Sequence, residues 1–117
     1  MTGSVSYHSG LAAENSVAAF YEGQGYKVAA RRWRSAAGEI DLVARRNGNV
    51  IFVEVKKSRT LDRAACSLSR KQISRIYASA AMFLEGEPNG QDSAARFDLA
   101  TVGAVGRISV LENAICA

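Results

Sequence analysis

The chain has 117 residues, 48% hydrophobic and 22% charged, a composition that predicts one globular domain over residues 1–117 and excludes disordered, collagen-like and coiled-coil chains. One histidine, His8, and two cysteines without metal-type spacing, Cys66 and Cys116, argue against a zinc site and a Ser-His-Asp or Cys-His hydrolase. No apolar run approaches the roughly 18 residues of a membrane span and no signal-peptide pattern opens the chain, so no membrane partner and a cytoplasmic location are expected.

Residues 1–9 read as a loose N-terminal end. Residues 11–24 (LAAENSVAAFYEGQ) predict a helix ended by Gly23 and Gly25, with Val17, Ala18 and Tyr21 on its apolar face. Glu14 precedes these by helical spacings and shares that face, an unusual place for a carboxylate. Residues 26–34 (YKVAARRWR), 38–45 (GEIDLVAR) and 50–57 (VIFVEVKK) predict three strands. Residues 58–68 read as a polar loop. Ser69 followed by Gln72 forms a capping box, opening a helix whose stripe is Ile73, Ile76, Tyr77, Ala80 and Leu84. A surface loop follows over 85–93, then strands at 95–102 and 107–112, with Asp98 expected to be structural. The order is α-β-β-β-α-β(-β), an α/β fold with a mixed sheet flanked by helices.

Asn47-Gly48 is a strong hairpin signal between the second and third strands. With these two as the loop, Arg46 faces Asn49, Ala44 faces Ile51, Leu42 faces Val53 and Ile40 faces Val55, so one hairpin face is apolar. The other face sets Asp41 against Glu54 and Glu39 against Lys56. Opposed carboxylates repel, and a divalent cation between them would remove the conflict. With so few imidazoles and thiols, any metal site here must use carboxylates, which points to Mg²⁺ or Mn²⁺. Lys56 leaves its strand on the same face as Glu54, and two acids, a metal and an ammonium suit phosphodiester hydrolysis. Two readings stay open beside this one: a solvated strand face, and a register one residue over that pairs Asp41 with Lys56.

Between Lys27 and Arg75 there are 13 basic and four acidic residues, which makes a polyanion the first partner to consider, DNA before RNA. Arg31, Arg32 and Arg34 alternate with Trp33, itself expected in the core. Lys57, Arg59, Arg70 and Lys71 flank the acid pair in sequence. Arg70 and Lys71 oppose the dipole of the second helix, a cost explained if phosphate binds there.

Gly38-Glu39-Ile40-Asp41-Leu42-Val43-Ala44, Phe52-Val53-Glu54-Val55-Lys56 and Arg96-Phe97-Asp98 together resemble the YraN family of small bacterial proteins. Those proteins are similar to the restriction-endonuclease-like PD-(D/E)xK superfamily and to archaeal Holliday-junction resolvases. The resemblance runs from about Gly10 to Val102. It implies a restriction-endonuclease-like core and a site of Asp41, Glu54 and Lys56, with Glu14 as a further metal ligand from the first helix. It further implies a Mg²⁺- or Mn²⁺-dependent endonuclease acting on DNA, branched DNA included. The chain departs from the family pattern at Arg32, where Asn is usual. A homodimer would serve two-strand cleavage, although no interface is legible in the sequence. The alternatives are a module that binds nucleic acid without cutting it, and a protein-interaction domain whose acids form ordinary salt bridges.

Overall fold

The computed structural model describes residues 2–57, Ala64 and 68–114, with side chains described from Gly10 onward. The elements are α1 (Thr2–Gly23), β1 (Lys27–Ser35), β2 (Gly38–Arg46), β3 (Asn49–Lys57), α2 (Arg70–Leu84), β4 (Ala95–Val102) and β5 (Ile108–Leu111), with a 3-10 turn at Gly90–Asp92. The five strands form one sheet in the order β1-β2-β3-β4-β5. All neighbours are antiparallel except β3 and β4, which are parallel and joined through α2. That is the α/β architecture and element order of a restriction-endonuclease-like core. The helix expected from Leu11 instead begins at Thr2, so residues 2–9, read as loose, are helical. Gly10 does not bound the helix, because no proline interrupts this stretch and one glycine costs only about 1 kcal/mol.

The β2–β3 register is the one set by Asn47-Gly48: Arg46 pairs with Asn49, Ala44 with Ile51 and Leu42 with Val53. Asn47 (φ 52°) and Gly48 (φ 83°) both occupy the left-handed region that a tight two-residue hairpin turn requires. Gly38 (φ 152°) opens β2 in a conformation L side chains rarely adopt, pressed against α2 at Arg75 and Ser79.

The expected alternation fails at one place. Leu42 and Ala44 pack with Ile51 and Val53 under α1, around Val17, Ala18 and Tyr21. Ile40, expected on that same face, belongs to the opposite core with Val43, Val50, Phe52, Ala80 and Leu84 under α2. The cause lies in β1, where Arg31 pairs with Leu42 and Trp33 with Ile40. Between those pairs stand Arg32 with φ 48°, a left-handed residue inside a strand, and Asp41 on β2. β2 turns over at this point, so Ile40 and Leu42, two apart and expected on one face, are split between the two cores. Trp33 joins the α2 core, edge-on to Phe83 at 5.3 Å between ring centroids. On α2 the buried stripe is Ile76, Ser79, Ala80 and Leu84; Ser79, absent from the expected stripe, is accommodated by a 3.0 Å hydrogen bond with Ser35.

Asp98 is structural, as expected: it is buried in β4 and fully engaged. It accepts from the Tyr21 hydroxyl (2.7 Å), from Arg96 Nε and Nη2 (2.9 and 3.2 Å) and from the Asn113 backbone N–H (3.1 Å). Burial and the Asp98 carboxylate hold the Tyr21 phenol protonated, well above its ordinary range.

Candidate functional site

The β2–β3 ladder ends at Leu42–Val53, and one residue further on the side chains take over. Asp41 Oδ2 accepts the Val55 backbone N–H at 2.8 Å, doing the work of the missing ladder bond. The Asp41 and Glu54 carboxyls are neighbours close enough for each to shift the other's titration. The two acids stand one step beyond the last paired residues, where continuation of the hairpin register sets them opposite each other. Two neighbouring carboxyls drawn partly out of water resist both being charged, and desolvation is the larger cause. Desolvation raises Asp41, and desolvation followed by the charge of Asp41 pushes Glu54 up to about 8.

Glu54 has two further neighbours. Gln72 Nε2 donates to its Oε2 at 3.0 Å, and Lys56 Nζ lies 4.0 Å from the same oxygen. Glu39, expected opposite Lys56, instead accepts from Arg34 Nε at 3.0 Å in an exposed pair. The turn at Arg32 and Asp41 explains the change, since Glu39 lies beyond it and no longer follows the hairpin register.

Glu14 projects from α1 toward this end of the sheet, close enough for its charge to raise Asp41. Its carboxylate is held by Arg32, whose Nε donates to Oε1 at 2.7 Å. Arg32, expected to contact phosphate, is half-buried and engaged by Glu14 here. Among the described residues no three carboxylate, imidazole or thiol groups converge as a metal cluster. The donor set that does converge, Asp41 and Glu54, is all oxygen. It fits a hard ion of the Mg²⁺ type, which takes one or two carboxylates and completes its shell with water and phosphate. Glu14 does not complete this set in the present arrangement.

The remaining expected contacts spread around the pair. Arg31 is exposed on edge strand β1 and donates to Asn15 of α1. Arg34 is exposed on the same strand, and Lys57 is exposed at the end of β3. Arg70 and Lys71 are exposed in the first turn of α2, directly before Gln72. Arg59, Cys66 and Cys116 lie outside the described residues.

Gln72 is the residue that sequence reading misses. Its backbone N–H does reach the Ser69 cap at 3.0 Å, as a capping box requires. Its side chain, assigned to the return bond of that box, goes to Glu54. A glutamine in a capping box has a sufficient local explanation, and nothing in the local pattern marks it as part of a site 18 residues away.

The chain matches the model of the Uncharacterised protein family UPF0102 over residues 13–102. It is 56% identical over 117 residues to a UPF0102 protein of Cereibacter sphaeroides strain KD131, covering 100% of both chains. It is 51% identical over 112 residues to a UPF0102 protein of Ruegeria pomeroyi, covering 96% of this chain and 91% of the relative. A UPF0102 protein of Azorhizobium caulinodans is 47% identical over 105 residues, covering 90% and 80%. The matched region contains Glu14, Asp41, Glu54, Lys56 and Gln72, and it spans every element from the first helix to the fourth strand. The chain belongs to the UPF0102 family, which is the YraN family.

Proposed function

We propose that this protein is a Mg²⁺- or Mn²⁺-dependent nuclease that hydrolyses phosphodiester bonds in DNA, branched DNA being the first substrate to test. The observation that carries the reading is the half-buried Asp41–Glu54 pair, two neighbouring carboxyls with a lysine 4.0 Å from one of them. Such a pair is costly to a fold that merely needs a strand end, whereas it is a ready seat for a divalent cation. Asp41 and Glu54 would hold the ion, with Glu14 the further acid from α1. The ion supplies positive charge against the scissile phosphate and makes water more acidic. Lys56 is placed to stabilise negative charge developing on the phosphate, and Gln72 fixes the orientation of Glu54. Arg31, Arg34, Lys57, Arg70 and Lys71 offer cations to the backbone of the strand. Two copies would serve the cutting of both strands.

One observation favours a second reading, a module that binds nucleic acid without cutting it: Glu14 is tied to Arg32, and three ligating groups do not converge among the described residues. Titration calorimetry with Mn²⁺ and Mg²⁺ on wild type and Glu54→Gln separates the two. Binding to wild type that disappears in Glu54→Gln is the expected result, followed by metal-dependent cleavage of branched, single-stranded or duplex DNA. No binding at millimolar metal, even with DNA present, overturns the nuclease and leaves the binding module.

A further inference from the structure

Arg32 combines three properties that do not occur together elsewhere on the described surface. Its backbone is left-handed (φ 48°) within a strand, a conformation that costs a residue with a long side chain of order 1–3 kcal/mol. It stands on β1 between the residues paired with Leu42 and Ile40, the two neighbours of Asp41 on β2. Its guanidinium is bonded through Nε to Glu14, the one acid of the site that does not join the other two. Strain of this kind persists only where the surroundings enforce it, and here it sits on the residue whose side chain holds a carboxylate of the site.

We propose that Arg32 is a positioning residue that exchanges Glu14 for a phosphate of the bound strand, so that phosphodiester binding releases Glu14 to the metal seat. This deepens the nuclease reading and rests on it. The argument is one of charge and access. With Arg32 on Glu14, a divalent cation at Asp41 and Glu54 would face a second cation beside it, with the third carboxylate already neutralised. An anion that takes the guanidinium removes that conflict and frees the carboxylate in one step. A phosphodiester is the anion of the proposed substrate, and a guanidinium presents the fork geometry that suits its two unbridged oxygens. Exposure runs the right way as well. The Arg32 side chain is 33% exposed and can be approached from solvent, whereas Glu14 is 13% exposed and lies behind it. No bond is made or broken in the exchange. Its consequence is positive coupling: metal and phosphodiester each raise the affinity for the other.

The test is Mn²⁺ titration calorimetry with and without diethyl phosphate, a small phosphodiester anion. It is run on wild type, Arg32→Asn and Glu14→Gln, each first checked for cooperative unfolding. Asn tolerates a left-handed backbone, so Arg32→Asn removes the guanidinium while keeping the strand turn. Wild type should bind Mn²⁺ more tightly with diethyl phosphate present. Arg32→Asn should bind Mn²⁺ about tenfold more tightly than wild type without it, and gain nothing from its addition. Glu14→Gln should bind weakly and show no response to diethyl phosphate. Equal Mn²⁺ affinity of wild type and Arg32→Asn, or an undiminished response in Glu14→Gln, overturns the exchange while leaving the metal site standing. Silence of all three proteins toward Mn²⁺ under both conditions overturns the metal reading itself, and the exchange with it.

Discussion

At Glu54 the neighbours act in opposite directions: burial and the Asp41 carboxylate favour the protonated form, while Lys56 and the Gln72 amide favour the charged one. The first pair wins, and Glu54 is raised to about 8 from the ordinary carboxylate range. A folded state that holds a proton the unfolded chain has lost is weakened as pH rises. The contribution is fully present below the unfolded value, near pH 4.5, and is lost as pH climbs through about 8. Wild type should therefore lose stability between about pH 5 and pH 8, and Glu54→Gln should show a flatter profile. At pH 8 the variant should be the more stable by about 1–3 kcal/mol, measured by urea unfolding at both ends of the window. A variant less stable than wild type at pH 8 would mean that the ion pair with Lys56 outweighs the repulsion from Asp41. The meeting of Asp41 and Glu54 was readable from the hairpin alone, because Asn47-Gly48 fixes the register to the last paired residue. The partner of Lys56 was not, since Glu39 lies past a turn that periodicity does not announce.

At the scale of elements, the turn at Arg32 and Asp41 separates the hairpin half of the β2–β3 pair from the half that carries the candidate site. The hairpin half follows local rules: alternation, the two-residue loop and β-branched strand residues all agree. The Gly48 position belongs there, and its φ of 83° makes Gly48→Ala a local test, expected to cost about 1 kcal/mol in denaturant unfolding without altering the site. Asp98 is the complementary case, one side chain joining α1 through Tyr21, β4 through Arg96 and the segment after β5 through Asn113. Asp98→Ala leaves the Arg96 guanidinium with the exposed Glu112 and the Tyr26 hydroxyl, each 3.5 Å away, and should cost about 3–5 kcal/mol. Tyr21→Phe removes one neutral donor and should cost about 1 kcal/mol. Near-equal losses for the two would mean that the network contributes through packing of the ring rather than through the charge. Alternation between Phe97 and Leu99 was enough to mark Asp98 as a strand residue, and Arg96 two residues earlier is a local partner, but Tyr21 lies 77 residues away and no local pattern links it.

For the molecule as a whole, α2 carries a polarity that sequence order only hints at. Arg70 and Lys71 open it beside the acid pair, and Glu85, Glu87 and Asp92 follow its other end, where Glu87 is engaged by Arg45 at 2.7 Å. Fifteen helical residues separate the two ends by roughly 22 Å, more than two Debye lengths at physiological salt. If the proposed nucleic acid binds, this charge separation favours the end that holds Asp41 and Glu54 over the other. Arg31, Arg34, Lys57, Arg70 and Lys71 all stand exposed, so each can neutralise one phosphate. If all five do so on duplex DNA, log K should fall against log salt with a slope of about −4.5, and Arg70→Ala with Lys71→Ala should reduce its magnitude by about 1.8. Fluorescence anisotropy in Ca²⁺ across a salt series measures both. A slope unchanged in the double variant would move the DNA path off α2 and onto the β1 edge, where Arg31 and Arg34 would have to carry it. A double variant with a reduced slope but intact Mn²⁺ binding would place the strand across the helix end, with its scissile phosphate facing Lys56.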